Sequence, residues 1–433
     1  MSQEQTVVQD QSVATAKAKA EDYRPSLTDV EAAAERIAGQ VLHSPLVALN
    51  GLSDFCGCHL LAKLENLQRT SSFKERGALN KLMQLTQAQR SAGVIAMSAG
   101  NHAQGVAYHA TRLGIAATIV MPEDTPFTKV ARTKSFGAQV ILHGETLTQA
   151  TSFAREKAEA DGLTFVHPFD DADVIAGQGT IALEMIDALD APLDALIVPI
   201  GGGGLLSGMA TAWRSKAPNT KIIGVQSAEF PSMKQVLAGE DVVTGSSSLA
   251  EGIAVKEPGQ LTRQIIGDLV DDIIIVPDGL IEQAVYDLSQ RAKIVAEGAG
   301  AAGLAAVLSD RTRFEGQRVG LVICGGNIDD RLYSNLLLRG MVKQQKIIQL
   351  RITLPDRPGA LSAISTVIGD AGGNIVEVQH QRLFNAVSVK STTIDIVTET
   401  RGPLHADEIV GTLQAQGFPV QQLYREKPAK TGD

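Results

Sequence analysis

Thr70-Ser-Ser-Phe-Lys74-Glu-Arg-Gly77 places a lysine behind three hydroxyl groups and ahead of a helical apolar spacing, Phe73, Ala78, Leu79 and Leu82. The chain has 39 Lys and Arg, so a lysine is by default a solvated surface charge. This one is predicted to sit at a helix N-terminus. The helix dipole opposes an ammonium there and lowers its pKa. A neutral amine is what a Schiff base with a carbonyl requires. Without a nearby site for the rest of a carbonyl cofactor, the lysine stays an ordinary cation.

Gly201-Gly-Gly-Gly204-Leu-Leu-Ser-Gly208 supplies such a site. It follows the apolar run Ala195–Ile200 and opens a helical stretch, Leu206–Ser215. Consecutive glycines let main-chain N–H groups converge on an anion, and the helix dipole adds to the attraction. No Gly-Lys-Ser/Thr follows, and no acidic residue stands where a dinucleotide ribose would need one. A lone phosphate fits better, and pyridoxal phosphate carries one. The bland reading of the glycines is a flexible turn.

Two further loops also follow apolar runs. Ser98-Ala-Gly-Asn-His102-Ala-Gln opens a helix and suits either ordinary capping or a second anion cradle for a substrate carboxylate. Cys324-Gly-Gly-Asn-Ile offers a small polarizable group that is either a core cysteine or a neighbour of a cofactor ring.

The elements that must position these loops read as α/β. Val94–Ser98, Ala117–Met121, Ala138–Leu142, Thr164–Pro168, Ala195–Ile200, Lys221–Gln226 and Val319–Gly326 are expected strands, with helices such as Ala103–Leu113 and Thr146–Asp161 between them. That alternation predicts a parallel sheet covered on both faces, with ligands at the C-terminal strand ends. The texture changes near Lys343. Ile347–Leu354, Ala360–Ala371, Ile375–Arg382, Val387–Val397, Leu404–Gly417 and the closing run Phe418–Tyr424 read as βαββαβ, the ferredoxin-like arrangement. The expected domains are a polar tail over residues 1–22, fraying up to about Tyr23, a catalytic region over 23–341 with a smaller subdomain at about 75–170, and a last domain over 342–433.

Composition narrows the class. In 433 residues the net charge is −9, which disfavours nucleic-acid and anionic-membrane partners. No apolar run approaches the ~20 residues of a membrane helix, and the N-terminus lacks the apolar core of a secretory signal. Cys56, Cys58 and Cys324 are too few for a disulfide framework, and one residue between the first two is too short for zinc. The expectation is a cytoplasmic protein.

SFKERGA, SAGNHAQG, GGGGLLSG and CGGNID, in this order, resemble the fold-type II pyridoxal-phosphate enzymes of the threonine dehydratase and serine racemase family, over about residues 23–340. The resemblance implies a tryptophan synthase β-like fold with parallel sheets. It implies that Lys74 holds the cofactor as a Schiff base and that Gly201, Gly202, Gly203, Gly204 and Leu205 bind its phosphate. Asn101 would meet the ring's 3-hydroxyl oxygen and Phe73 would pack on the cofactor. Ser98, Asn101 and His102 would hold the substrate carboxylate. Cys324 would face the pyridine nitrogen, where many relatives carry serine. A thiol is a weak partner for that nitrogen, so the carbanion at Cα should be short-lived, favouring loss of a β-group over reprotonation.

Two departures sharpen this. Ala99 stands where racemases of the family carry a second serine as the opposite-face acid/base, and a methyl carries no proton. Gln226 and Ser232 stand where metal-binding members have carboxylates. Glu297 and the carbonyl of Gly252 are too few ligands for magnesium but leave room for a monovalent cation. Asp356-Arg-Pro-Gly-Ala-Leu361 with Gly372–Asn374 resembles an ACT domain over about residues 347–424. That resemblance implies an amino-acid effector, expected to be isoleucine because threonine deamination opens its synthesis, and a homo-oligomer, dimer or tetramer. The expected reaction converts L-threonine to 2-oxobutanoate and ammonia, and L-serine to pyruvate. Alternatives are serine or hydroxyaspartate dehydration or racemisation on the same scaffold, β-replacement as in cysteine synthases, and an amino-acid sensor with a vestigial cofactor site.

Overall fold

The computed structural model describes residues 23–381 and 391–424. The expected polar tail and the start of the Val387–Val397 strand lie outside the described residues. The chain divides into two compact units between Ile328 and Asp329. The helix Asp330–Lys343 groups with the second unit, ahead of the change in sequence texture near Lys343, because it packs on the strand that follows it.

The first unit contains two sheets. In chain order its strands are β1 (Leu46–Ala48), β2 (His59–Lys63), β3 (Val94–Met97), β4 (Ala117–Met121), β5 (Gln139–Leu142), β6 (Thr164–Phe165), β7 (Ala195–Pro199), β8 (Lys221–Ser227), β9 (Asp272–Val276) and β10 (Arg318–Val322). The larger sheet runs β1-β2-β10-β7-β8-β9, parallel except for the β1–β2 pair. The smaller runs β5-β4-β3-β6, all parallel. β7 is buried along its whole length, as a central strand covered on both faces must be. Thr164–Pro168, expected as one strand, pairs only over Thr164 and Phe165. Pro168 has no N–H for the ladder, and His167–Asp171 becomes a connecting strap.

Two glycine contacts set the lysine against the glycine loop. The helix Lys74–Met83 crosses the helix Ala172–Ala188 where Gly77 meets Gly177, and a Cβ on Gly177 would lie 2.7 Å from the Arg76 carbonyl oxygen. Two residues further, a Cβ on Gly179 would lie 2.7 Å from the Gly208 carbonyl oxygen in the helix Gly204–Lys216. The helix Ala172–Ala188 thus gauges the spacing between the lysine helix and the glycine-loop helix.

The second unit is an antiparallel sheet of β11 (Ile347–Pro355), β12 (Asn374–Gln381), β13 (Ser391–Glu399) and β14 (Val420–Leu423), ordered β12-β13-β11-β14. Its helices Ala360–Asp370 and Pro403–Ala415 close an aliphatic core of Ile348, Leu350, Ile352, Ile364, Ile368, Ile394, Ile396 and Ile409. This is the βαββαβ order expected from the alternating apolar pattern. On the sheet's other face Arg351 grips Asp395 through two hydrogen bonds of 2.8 and 2.6 Å.

Candidate active site

Lys74 is the first residue of its helix. The turn before it is built by Ser71, at a φ of +57°, and by Asn327, whose Nδ2 donates to the Thr70 carbonyl at 2.7 Å. Phe73 N–H donates to the Cys324 carbonyl at 3.0 Å, and Gly326 N–H donates to the Ser71 carbonyl at 2.9 Å. These bonds place the Cys324 loop against the lysine turn. Lys74 Nζ donates to the Pro168 carbonyl at 2.7 Å and lies 5.2 Å from the centre of the Phe73 ring. Burial away from water lowers its pKa to about 8, against smaller opposing effects of Cys324 and Glu297. The low pKa expected from the helix terminus is therefore present, with desolvation as its main cause.

Behind the lysine lies a buried charge network. Arg76 holds Glu65 with two bonds of 2.8 Å and Glu184 with bonds of 2.6 and 2.8 Å. Lys63 donates to Glu184 and to the Ser44 carbonyl, each at 2.5 Å, and Ser44 donates to Glu65 at 2.6 Å. Two cations face two carboxylates with complementary geometry, the condition under which buried charge is tolerated.

In front, an amide relay fixes Asn101, which opens the helix Asn101–Arg112. Asn101 Nδ2 donates to Glu297 at 2.7 Å, and Asn101 Oδ1 accepts from Asn327 Nδ2 at 2.7 Å. One amide proton of Asn101 remains for a ligand, in a fixed orientation. Burial raises the Glu297 pKa to about 7, against the lowering effect of that Asn101 bond. Burial, with Glu297 beside it, also pushes the Cys324 thiol well above its usual value, so it is a neutral thiol.

Ser98 Oγ accepts from Gly100 N–H at 3.1 Å. His102 is buried, and its Nε2 lies 2.9 Å from the Val166 carbonyl. A carbonyl only accepts, so Nε2 carries the proton and Nδ1 is left as a bare acceptor. Burial, helped by the charge of Lys74, lowers the His102 pKa to about 3. The ring is neutral and has no second proton for a carboxylate.

The glycine loop lies against the His167–Asp171 strap. Phe169 occupies the space where a Cβ on Gly202 would point, and a Cβ on Gly204 would lie 2.9 Å from the Phe169 carbonyl oxygen. Gly203 has a φ of +99°, a conformation costly for any residue with a Cβ. Thr262 Oγ1 donates to the Gly202 carbonyl at 2.6 Å, and Leu205 is buried. The strap ties neighbouring elements together. Asp170 accepts from the N–H groups of Gln260, Leu261 and Thr262, and Asp171 caps the helix Ala172–Ala188.

The residues present fit a small phosphorylated carbonyl compound. A cradle without Cβ atoms lies on the neighbour of Pro168, whose carbonyl holds the lysine amine. On the lysine turn and the loops beside it, Thr70 Oγ1, Ser72 Oγ, His102 Nδ1 and Asn327 Oδ1 are buried without protein partners. Native interiors seldom leave such groups unpaired unless something else satisfies them.

A sequence profile described as "Pyridoxal-phosphate dependent enzyme" matches residues 37–325. The chain belongs to the pyridoxal-phosphate-dependent enzymes. A second profile, the ACT domain, matches residues 348–417. The chain is 42% identical to an L-threonine ammonia-lyase of Thermotoga maritima over 398 residues, 92% of this chain and 99% of that protein. Among solved structures it resembles a threonine deaminase of T.th., at 40% identity and a TM-score of 0.67, covering 70% of this chain and 99% of that one. It also resembles maize serine racemase, at 32% identity and a TM-score of 0.69, covering 74% and 99%.

In this pyridoxal-phosphate enzyme the sequence-predicted residues Phe73, Lys74, Asn101 and Cys324 lie on turns that the Phe73–Cys324 and Asn327 hydrogen bonds tie together, and Gly201–Leu205 lies across the strap from Lys74. Sequence reading missed Glu297 and Asn327 as the groups that orient Asn101, and it missed the strap. One signal for the strap was present: Asp171 stands as an N-cap before an apolar helix. Gln226 and Ser232 have internal partners: Gln226 bridges Phe230 and Lys234, and Ser232 donates to the Val255 carbonyl at 2.6 Å. Among the described residues no group of three or more His, Cys, Asp or Glu is arranged to hold a metal ion. No described helix is long and apolar enough to cross a membrane.

Proposed function

We propose that this protein is a cytoplasmic L-threonine ammonia-lyase that eliminates the β-hydroxyl of L-threonine and yields 2-oxobutanoate and ammonia, with L-serine giving pyruvate as a slower reaction. The observation that carries the reading is the Lys74 amine, buried, of lowered pKa, with a glycine cradle on the far side of the Pro168–Phe169 strap.

Pyridoxal phosphate supplies an electron sink for the pair left when an amino acid loses its Cα proton. Lys74 would hold the cofactor, and its amine in the neutral form would take that proton on Nζ. Gly201–Gly204 and Leu205 cradle the phosphate through main-chain N–H groups. Phe73 would pack against the cofactor ring, and Asn101 would offer it the amide proton left over from its bond to Glu297. Cys324 would present a neutral thiol to the cofactor's ring nitrogen, a weak partner that would favour loss of the β-group. Ser98 and Asn101, with the N–H groups opening their helix, hold the substrate carboxylate. His102 packs beneath them as a neutral ring. Ala99 has no proton for the opposite face, which disfavours the racemase reading. An intact lysine and glycine loop disfavour a vestigial sensor.

The N-terminal region to about residue 341 carries catalysis. The remainder carries regulation, through an amino acid, expected to be isoleucine, bound by a homo-oligomer. Any cation is monovalent and held mainly by carbonyls, because Gln226 and Ser232 are engaged elsewhere.

Steady-state assays of 2-oxobutanoate and ammonia release test this. The expected result is turnover of threonine faster than serine, isoleucine at millimolar levels lowering it, and loss of at least ~10³-fold in Lys74→Ala. Threonine left unchanged by the wild-type holoenzyme would reject the function. Indifference to isoleucine would reject the effector.

A further inference from the structure

Telling threonine from serine means reading one methyl group. Water offers no grip on a methyl, so the reader must be apolar, partly open to the cleft before the substrate arrives, and stiff enough not to collapse. Most side chains of the lysine turn and the loops tied to it are polar: Ser72, Asn101, Glu297 and Asn327. Two rings are not. Phe73 precedes the lysine in its own turn and is assigned to the cofactor. Phe169 follows Pro168, whose carbonyl accepts from Nζ at 2.7 Å.

Phe169 meets each requirement. Phe169 is partly exposed. It rests on Gly202, and its backbone rests on Gly204. From the other side His167 meets it edge-on, with ring centres 4.8 Å apart at 89°. His167 Nδ1 accepts from the N–H groups of Phe169 and Asp170 at 3.3 and 2.8 Å. Asp170 in turn is held by three N–H groups of the helix Gln260–Leu269. The ring therefore has a fixed place between the amine that acts at Cα and the loop that holds the phosphate. The β-carbon of a bound amino acid is one bond from Cα. A partly open ring one residue from the amine's own acceptor can reach that carbon's substituent.

We propose that Phe169 is the specificity-determining wall that reads the β-methyl group of the substrate. This rests on the threonine reading above and goes further by naming the residue that makes the choice.

The test uses the holoenzyme and two ligands without a leaving group, L-2-aminobutyrate and L-alanine, which differ by the same methyl and cannot undergo the elimination. Titrating the cofactor's visible absorbance gives a dissociation constant for each, alongside kcat/KM for threonine and serine. One methyl against a hydrophobic wall discriminates by roughly 10–200-fold. Phe169→Ala is expected to cut the preference for aminobutyrate over alanine, and for threonine over serine, by about tenfold or more, with the cofactor retained. Phe169→Leu keeps an apolar side chain should the alanine variant fail to fold, and is expected to retain most of the preference while shifting it measurably.

The inference is overturned if the preference is unchanged in both variants. It is also overturned if both ligands weaken equally, or if only cofactor retention falls, since the ring would then merely support the glycine loop. A wild-type enzyme that released no 2-oxobutanoate would reject the functional reading, whereas the ratio of dissociation constants would still decide the wall.

Discussion

The two sides of the lysine helix are built on opposite rules. Behind it, Arg76, Lys63, Glu65 and Glu184 pair with one another in a region almost closed to water. In front of it, Thr70, Ser72, His102 and Asn327 each present a buried polar atom with no protein partner. Left unpaired, a buried polar group would cost about 1–3 kcal/mol, so these four atoms are ones that a ligand or water is expected to satisfy. The difference separates scaffold from site. The satisfied network fixes where the helix is, and the unsatisfied atoms mark where something else is to bind. Local polar satisfaction fails where function requires it to fail.

The largest expected effect lies behind the helix. Arg76→Met leaves Glu65 buried without its bonded cation and Glu184 with Lys63 alone. The expected cost is about 3–5 kcal/mol of folding stability, measured by denaturant unfolding of the cofactor-free protein. An unchanged midpoint would mean that the network is not what anchors the lysine helix.

A pH effect distinguishes the front. The folded Lys74 pKa, lowered to about 8, lies below the unfolded value of about 10.4. Between these values the unfolded chain binds a proton that the folded chain does not, so the lysine's contribution to stability rises with pH across this window. Below pH 8 its burial penalty is fully present. The same shift predicts that cofactor capture by the cofactor-free protein accelerates from pH 7 to 9 with a midpoint near 8, followed by absorbance. A midpoint near 10 would mean that the amine is not desolvated.

The smallest effect separates the two sides most cleanly. Ser72→Ala removes one unpaired hydroxyl. Stability should stay within about 0.5 kcal/mol, while cofactor affinity falls about fivefold, the worth of one hydrogen bond. A stability loss with unchanged affinity would assign Ser72 to the scaffold.

This contrast also explains what was legible in the sequence. The parallel strands and the βαββαβ unit announce themselves through apolar runs, because burial on both faces or on one leaves periodic signatures. The four loops announce themselves through glycines and their place after strands. The charge network gave no such signal. Lys63 and Arg76 read as surface residues, and only their convergence in space makes them core. Glu297 and Asn327 likewise acquire their role from Asn101, which lies far from both in sequence. The start of the strap, His167–Pro168, was read as strand because Val166 and Pro168 are apolar, although the pairing stops at Phe165.

The central claim is that Lys74, and no other lysine, holds the cofactor. Borohydride reduction of the holoenzyme would fix the cofactor to its amine, and mass mapping of the digested chain would locate it. The account predicts the added mass on the peptide containing Lys74. Added mass on any other lysine, or none on an enzyme that shows the cofactor's visible band, would contradict it.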